Sequence, residues 1–238
     1  MRAILFIVFI LPALAVFSQA TVVDVGKDDM QVAGTRNFYT VGGSPVTNTK
    51  YVKVVEGSPY FSDSWMKGKL ALANGEMYDS LRLRLDLAAN ELQYISPEGK
   101  ELIATTPVKG VTLKDSISGK QYHFVHSSFL QLPKNMESGW YQLLVQGPAT
   151  LYKHIVKTVN ENKPYGSATV EQTIKTTGQY FVVFNGVFTR IKKIKELPDT
   201  LKNKKIELDT YISSQGLAGR SDGDYSSLIA YYNSLVEK

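Results

Sequence analysis

Leu81-Arg82-Leu83-Arg84-Leu85-Asp86-Leu87 is the stretch on which the reading of this chain turns. Leucine occupies every second position, and charged side chains fill the gaps. A strand sends successive side chains to opposite faces, so this order makes one leucine face for a core and one charged face for water. On a helix the same leucines would be scattered around the whole circumference. The segment therefore predicts a half-buried β-strand with Arg82, Arg84 and Asp86 on the solvated side.

The flanks repeat the style. Tyr51 to Val55 is rich in β-branched residues. Lys69 to Leu72 and Glu76 to Tyr78 enclose Asn74-Gly75, which predicts a hairpin with a two-residue type I′ turn. Glu91 to Ile95, Pro97-Glu98-Gly99 and Glu101 to Ala104 read as a second hairpin. Val108 to Leu113, Tyr122 to Val125 and Trp140 to Val145 continue the pattern. Gln179 to Phe184, Asn185-Gly186 and Val187 to Ile194 close a third hairpin. Residues 155–175 are polar and weakly patterned and read as a long loop or extended excursion. The fold class expected is mainly β (α+β): an antiparallel, hairpin-rich sheet forming a roll, barrel or sandwich.

The last forty residues switch to a helical period. Pro198 suits a first helical residue, Leu201, Leu208, Tyr211 and Ile212 follow at helical spacing, and Gly216 suits the end. Ser221 or Asp222 can cap a second helix. Tyr225, Leu228, Ile229, Tyr232, Leu235 and Val236 then form its apolar stripe. Two C-terminal helices over 196–238 are expected to pack on a β-rich domain at 51–195, preceded by a polar lead-in at 21–50 with one edge strand.

Residues 1–20 read MRAILFIVFILPALAVFSQA. Arg2, an apolar run from Ala3 to Phe17 and the small-residue close Ser18-Gln19-Ala20 match a secretory signal peptide cleaved after Ala20. The run is short for a membrane span and Pro12 interrupts it. The expected product is exported, periplasmic or secreted, with no transmembrane segment once the signal is removed. Arg2 is the one charged residue in the segment, so the mature chain would carry 26 basic against 22 acidic side chains. That mild excess gives no case for nucleic-acid binding.

The chain of 238 residues has no cysteine, which excludes disulfides, thiol nucleophiles and thiolate metal sites. His123 and His126 lie three apart on an expected strand and so point to opposite faces, unable to share a metal. Ser127 and Ser128 sit beside His126, but no Gly-x-Ser-x-Gly elbow accompanies them. Neither a phosphate-binding loop nor a dinucleotide fingerprint is present. No catalytic, cofactor or metal residues are assigned, and no cofactor is expected. Gly57 to Gly68 is dense in aromatics: Tyr60, Phe61 and Trp65 are ligand-binding candidates, of the kind sugar-binding surfaces offer, against the plainer reading that they plug one end of the core. Arg190, Lys192, Lys193, Lys195, Lys202, Lys204 and Lys205 form a basic stretch that suits a solvated strand edge or an acidic partner.

Taken together, Gly57-Ser58-Pro59-Tyr60-Phe61 to Trp65-Met66-Lys67-Gly68, Leu81-Arg82-Leu83-Arg84, Gly139-Trp140-Tyr141-Gln142-Leu143-Leu144, Lys163-Pro164-Tyr165-Gly166-Ser167, Tyr180-Phe181-Val182-Val183 and the closing Tyr231-Tyr232-Asn233 resemble a group of uncharacterised exported proteins of Gram-negative bacteria. The resemblance implies a signal peptide and an envelope location and carries no known activity. The function expected is a non-enzymatic binding or envelope-associated module, its partner an unidentified envelope ligand or protein. The alternative is a hydrolase with a dispersed active site acting on glycans or esters. It would need a pocket in which two carboxylates, or His126 and a serine, converge.

Overall fold

A computed structural model of the chain describes residues 22–24, 43–46, 50–51, 53–166 and 168–237. The expected signal peptide, and most of the polar lead-in, lie outside the described residues. The strands in chain order are β1 (Val22–Asp24), β2 (Gly43–Pro45), β3 (Val54–Glu56), β4 (Met66–Leu72), β5 (Met77–Asp86), β6 (Glu91–Ile95), β7 (Glu101–Ala104), β8 (Val108–Lys114), β9 (Gln121–His126), β10 (Trp140–Val145), β11 (Ala149–Asn162), β12 (Glu171–Phe184) and β13 (Val187–Ile191). Three helices close the chain: α1 (Leu197–Thr200), α2 (Lys205–Gln215) and α3 (Asp222–Val236).

All thirteen strands belong to one sheet, in the order β13-β12-β11-β10-β9-β8-β4-β5-β6-β7-β2. Within that path every pair is antiparallel. β1 joins β5 and β3 joins β12, both parallel. Among the described residues β13 and β2 do not pair, so the sheet is an open one and not a closed barrel.

Leu81, Leu83 and Leu85 of β5 are fully buried, with Leu70, Leu72, Tyr94, Leu113 and Phe124 around them. Burying a leucine side chain is worth about 1.5–3 kcal/mol, so this face drives the curl of β4–β9 around it. A second cluster lies where α2 and α3 meet β11 and β12: Leu151, Val182, Leu208, Leu228, Ile229 and Tyr232. The opposite face of that part of the sheet carries a third cluster, Tyr141, Phe181 and Phe188, beneath the 127–139 loop.

Helix ends follow their local chemistry. Ser221 Oγ accepts the Asp224 N–H at 3.2 Å and donates to the Asp224 carboxylate at 2.7 Å, a reciprocal cap at the start of α3. Gly216, at φ 61°, ends α2, where the Leu217 N–H reaches back to Ile212 O. The first helical region is more broken than its spacing suggests. Pro198 starts only the four-residue α1, a tight turn at Lys202–Lys204 follows, and α2 begins at Lys205.

Three local expectations are corrected. Of the two readings of residues 155–175, the long loop is the one corrected: β11 reaches Asn162 and β12 starts at Glu171, an extended hairpin whose fourteen residue pairs are in unbroken register. In its far half Ile155, Gln172 and Ile174 are the buried residues, so the segment shows no alternation long enough to read. Asn74-Gly75 does not make a type I′ turn. The Leu72 N–H donates to Glu76 O, which leaves three residues in the loop, and only Gly75 has positive φ. Asn185-Gly186, with φ of 49° and 75°, is the type I′ turn. Finally, Asp86 is not solvated: it is 1 % exposed.

Candidate functional site

What covers Asp86 is the aromatic loop before β4. Gly57 sits at φ 79°, where a Cβ would meet Ile174 O at 2.0 Å, so only glycine turns the chain here. The loop then runs antiparallel to the end of β5. Phe61 N–H donates to Leu85 O at 2.9 Å, and Leu87 N–H donates to Pro59 O at 3.0 Å. In this extended stretch neighbouring side chains part to opposite sides. Phe61 goes inward, edge-on to Tyr122 and Phe124 at 4.9 Å each. Tyr60 pairs with Asp86 and stays on the outer side.

On that outer face, Arg84 is held between two rings. Its guanidinium carbon lies 4.2 Å from the ring centre of Tyr60 and 4.2 Å from that of Trp65. Arg84 Nε donates to Gln93 Oε1 at 2.9 Å, and an NH2 group pairs with Glu101 at 3.1 Å. The arginine's direction is thereby fixed. Of the three candidates, Phe61 belongs to the core, while Tyr60 and Trp65 flank Arg84 on the surface.

Beside the arginine lies a cleft of about 360 Å³, lined by Lys50, Tyr51, Tyr60, Asp86, Glu91 and Gln93 among others. Asp86 receives the Tyr51 hydroxyl at 3.0 Å and the N–H groups of Ala88 and Ala89 at 3.0 and 2.8 Å. Burial raises the Asp86 pKa above the usual carboxylate value, although these donors act to lower it. Burial and the neighbouring Asp86 together push the Tyr51 hydroxyl up. Glu91, the cross-strand partner of Asp86, pairs with Lys50. The Tyr51 and Tyr60 rings meet edge to face at 6.5 Å. The cleft thus presents two tyrosines, two carboxylates, an amide and an ammonium on the face of a rigid sheet.

A second cleft of about 280 Å³ opens between the hairpin ends at Asn90–Leu92 and Ala104–Val108. His126, Ser128, Phe129 and Trp140 complete its lining. His126 Nδ1 lies 2.6 Å from Ser128 Oγ, and burial lowers the His126 pKa. Glu91 lines both clefts.

The other candidates stay apart. His123 faces away from His126, its Nδ1 at 3.0 Å from Thr112 Oγ1. His154 is 5 % exposed and stacks on Tyr141 at 4.5 Å. Among the described residues no three His, Asp or Glu side chains gather as a metal site would need. No helix among them is long and apolar enough to cross a membrane. In the basic stretch Lys205 pairs with Asp199 and Lys204 with Glu207, whereas Arg190, Lys192, Lys193, Lys195 and Lys202 are exposed.

Sequence reasoning singled out Tyr60 and Trp65 but not Arg84, Asp86, Tyr51, Glu91 and Gln93, which the structure gathers near them. Arg84 and Asp86 carried a signal in their alternation with leucine, which identified their face but not the loop laid over it. Tyr51, Glu91 and Gln93 carried none. Comparison of the chain with protein-family models, with curated proteins and with solved structures finds no match.

Proposed function

We propose that the chain is an exported binding module of the cell envelope, and that the cleft beside Arg84 takes a polyhydroxylated ligand, a glycan. The observation that carries this reading is the clamped Arg84 next to a buried Asp86. Burying a carboxylate is costly, and buried charged groups beside a cleft gather at functional sites. Rings combined with fixed donors and acceptors suit a sugar, whose C–H faces pack on aromatics and whose hydroxyls both give and take hydrogen bonds. The cleft volume falls in the range of small-molecule sites. Export rests on the charge, apolar run and small-residue close of residues 1–20.

The test is calorimetric titration of the mature chain, residues 21–238, with a panel of neutral and acidic oligosaccharides. Saturable binding weakened at least ~10-fold in Tyr60→Ala is expected, the loss of about 1.4 kcal/mol. Absence of binding across the panel, or binding that Tyr60→Ala leaves unchanged, contradicts the reading.

A further inference from the structure

We propose that the second cleft is an esterase site, in which Ser128 is the nucleophile and His126 its base. Four observations converge there. First, the pair is in contact: His126 Nδ1 is 2.6 Å from Ser128 Oγ. The Ser128 N–H also points to Nδ1, at 3.4 Å. Two donors facing Nδ1 favour the tautomer with its proton on Nε2, which leaves Nδ1 free to accept the serine proton.

Second, the base is rigid. His126 ends β9, opposite Trp140 in register, and its ring meets the indole edge to face at 5.1 Å. The tight turn Ser127–Phe129 that carries the nucleophile is fastened to Gly139 at both backbone groups and side chain: Ser127 N–H donates to Gly139 O at 2.8 Å, and Gly139 N–H donates to Ser127 Oγ at 3.0 Å. Gly139, at φ 143°, holds a backbone conformation that L side chains rarely adopt.

Third, two residues of the same lining carry N–H groups without a side-chain partner. Trp140 is 3 % exposed, and its Nε1–H has no hydrogen-bond partner. The Asn90 amide, which also lines the cleft, has no side-chain hydrogen bond among the described residues. An unpaired buried N–H is costly, and a developing oxyanion is the kind of group that would satisfy it. Fourth, Leu92, Ala104, Val108 and Phe129 give the cleft an apolar wall, and about 280 Å³ limits the acyl group to a short one.

The substrate class is an ester of a short-chain carboxylic acid. Ser128 Oγ attacks the carbonyl carbon as His126 Nδ1 takes the hydroxyl proton. The bond from that carbon to the alcohol oxygen breaks, and the leaving oxygen receives the proton from His126. Water then adds to the acyl-serine, giving a proton to His126. The carboxylic acid departs and the proton returns to Ser128 Oγ, which restores the starting state. This chemistry does not depend on glycan binding in the neighbouring cleft.

The test is labelling of the folded mature protein with a fluorophosphonate, which phosphonylates an activated serine with loss of fluoride, followed by peptide mapping. One adduct on Ser128 is expected. Its rate should fall at least ~100-fold in His126→Gln, as loss of a general base requires, and the adduct should vanish in Ser128→Ala. Ile117→Ala, an exposed turn residue outside both clefts, should label as the wild type does, and labelling is run without glycan, which keeps this result separate from the glycan titration. No adduct on the wild-type protein, an adduct elsewhere, or a Ser128 adduct formed equally fast without His126 overturns the proposal. Each of those is what a histidine that merely caps the turn would give.

Discussion

Asp86 sits where the period-2 pattern of β5 puts a solvated side chain, yet the Pro59–Phe61 segment lies along it and the Tyr51 hydroxyl closes over its oxygens. Burial raises its pKa, so the folded protein holds the proton more tightly than the unfolded chain does. The sign follows. Stability from this group is fully present below the ordinary aspartate value, about 4, and is lost as pH rises through the folded-state value. Asp86→Asn keeps an acceptor for Ala88 and Ala89 but does not ionise. Chemical unfolding of both proteins across the acid range should show the wild type losing stability relative to Asp86→Asn as pH rises from about 4. A constant difference between them would mean that Asp86 does not titrate in that window. Alternation says which face a residue takes. It does not say what another part of the chain lays on that face, and for this reason Asp86 was illegible.

At the scale of elements, two Asn-Gly pairs behave differently. At 185–186 both residues adopt positive φ and close a two-residue turn. At 74–75 Asn74 keeps negative φ, and its Oδ1 accepts the Glu76 N–H at 3.1 Å. Asn185→Ala should therefore cost about 1 kcal/mol, because alanine lacks the short polar side chain that lets asparagine take the left-handed region. Asn74→Ala, which loses one exposed hydrogen bond, should cost well under that, and urea midpoints of the two variants make the comparison. The dipeptide announced a hairpin in both places, but loop length depends on which flanking pair closes the ladder. The β11–β12 hairpin was missed for a related reason. Thr158, Thr173, Thr176 and Thr177 fit a strand by propensity, but with both faces half exposed they leave no binary pattern. The C-terminal helices were the more legible part. Ser221, Gly216 and the Tyr225 to Val236 stripe act as their chemistry predicts, while Asn233, within that stripe, is the residue the pattern hides. Its side chain accepts the Ala149 N–H at 2.8 Å and donates to Ala149 O at 2.9 Å, tying α3 to β11. Asn233→Ala strands both buried backbone groups and should lower stability by about 2–4 kcal/mol in urea unfolding. A loss under 1 kcal/mol would show that water replaces the asparagine.

Across the whole molecule, one sheet serves three cores, and the two clefts open around the β5–β6–β7 end of it. Helices and the long hairpin occupy the other end, around β11 and β12. The face that carries Arg84, Asp86, Glu91 and Gln93 thus lies away from the helices, on strands whose other face is the β5 leucine core. Class and mainly antiparallel pairing were readable from Leu81 to Leu87 and the hairpin turns. The clefts were not, because each gathers residues from segments distant in sequence: Lys50, Tyr60, Asp86 and Ile103 in one, Asn90, Ala104, His126 and Trp140 in the other. The most direct test of the central claim is a nuclear magnetic resonance titration of the isotope-labelled mature chain with the oligosaccharide panel. The Arg84 Nε–H, which donates to Gln93, and the backbone N–H groups of Tyr60, Glu91 and Gln93 should shift together and saturate at one ligand per chain. Shifts confined to α2 and α3, or no saturable shift with any glycan, would contradict it.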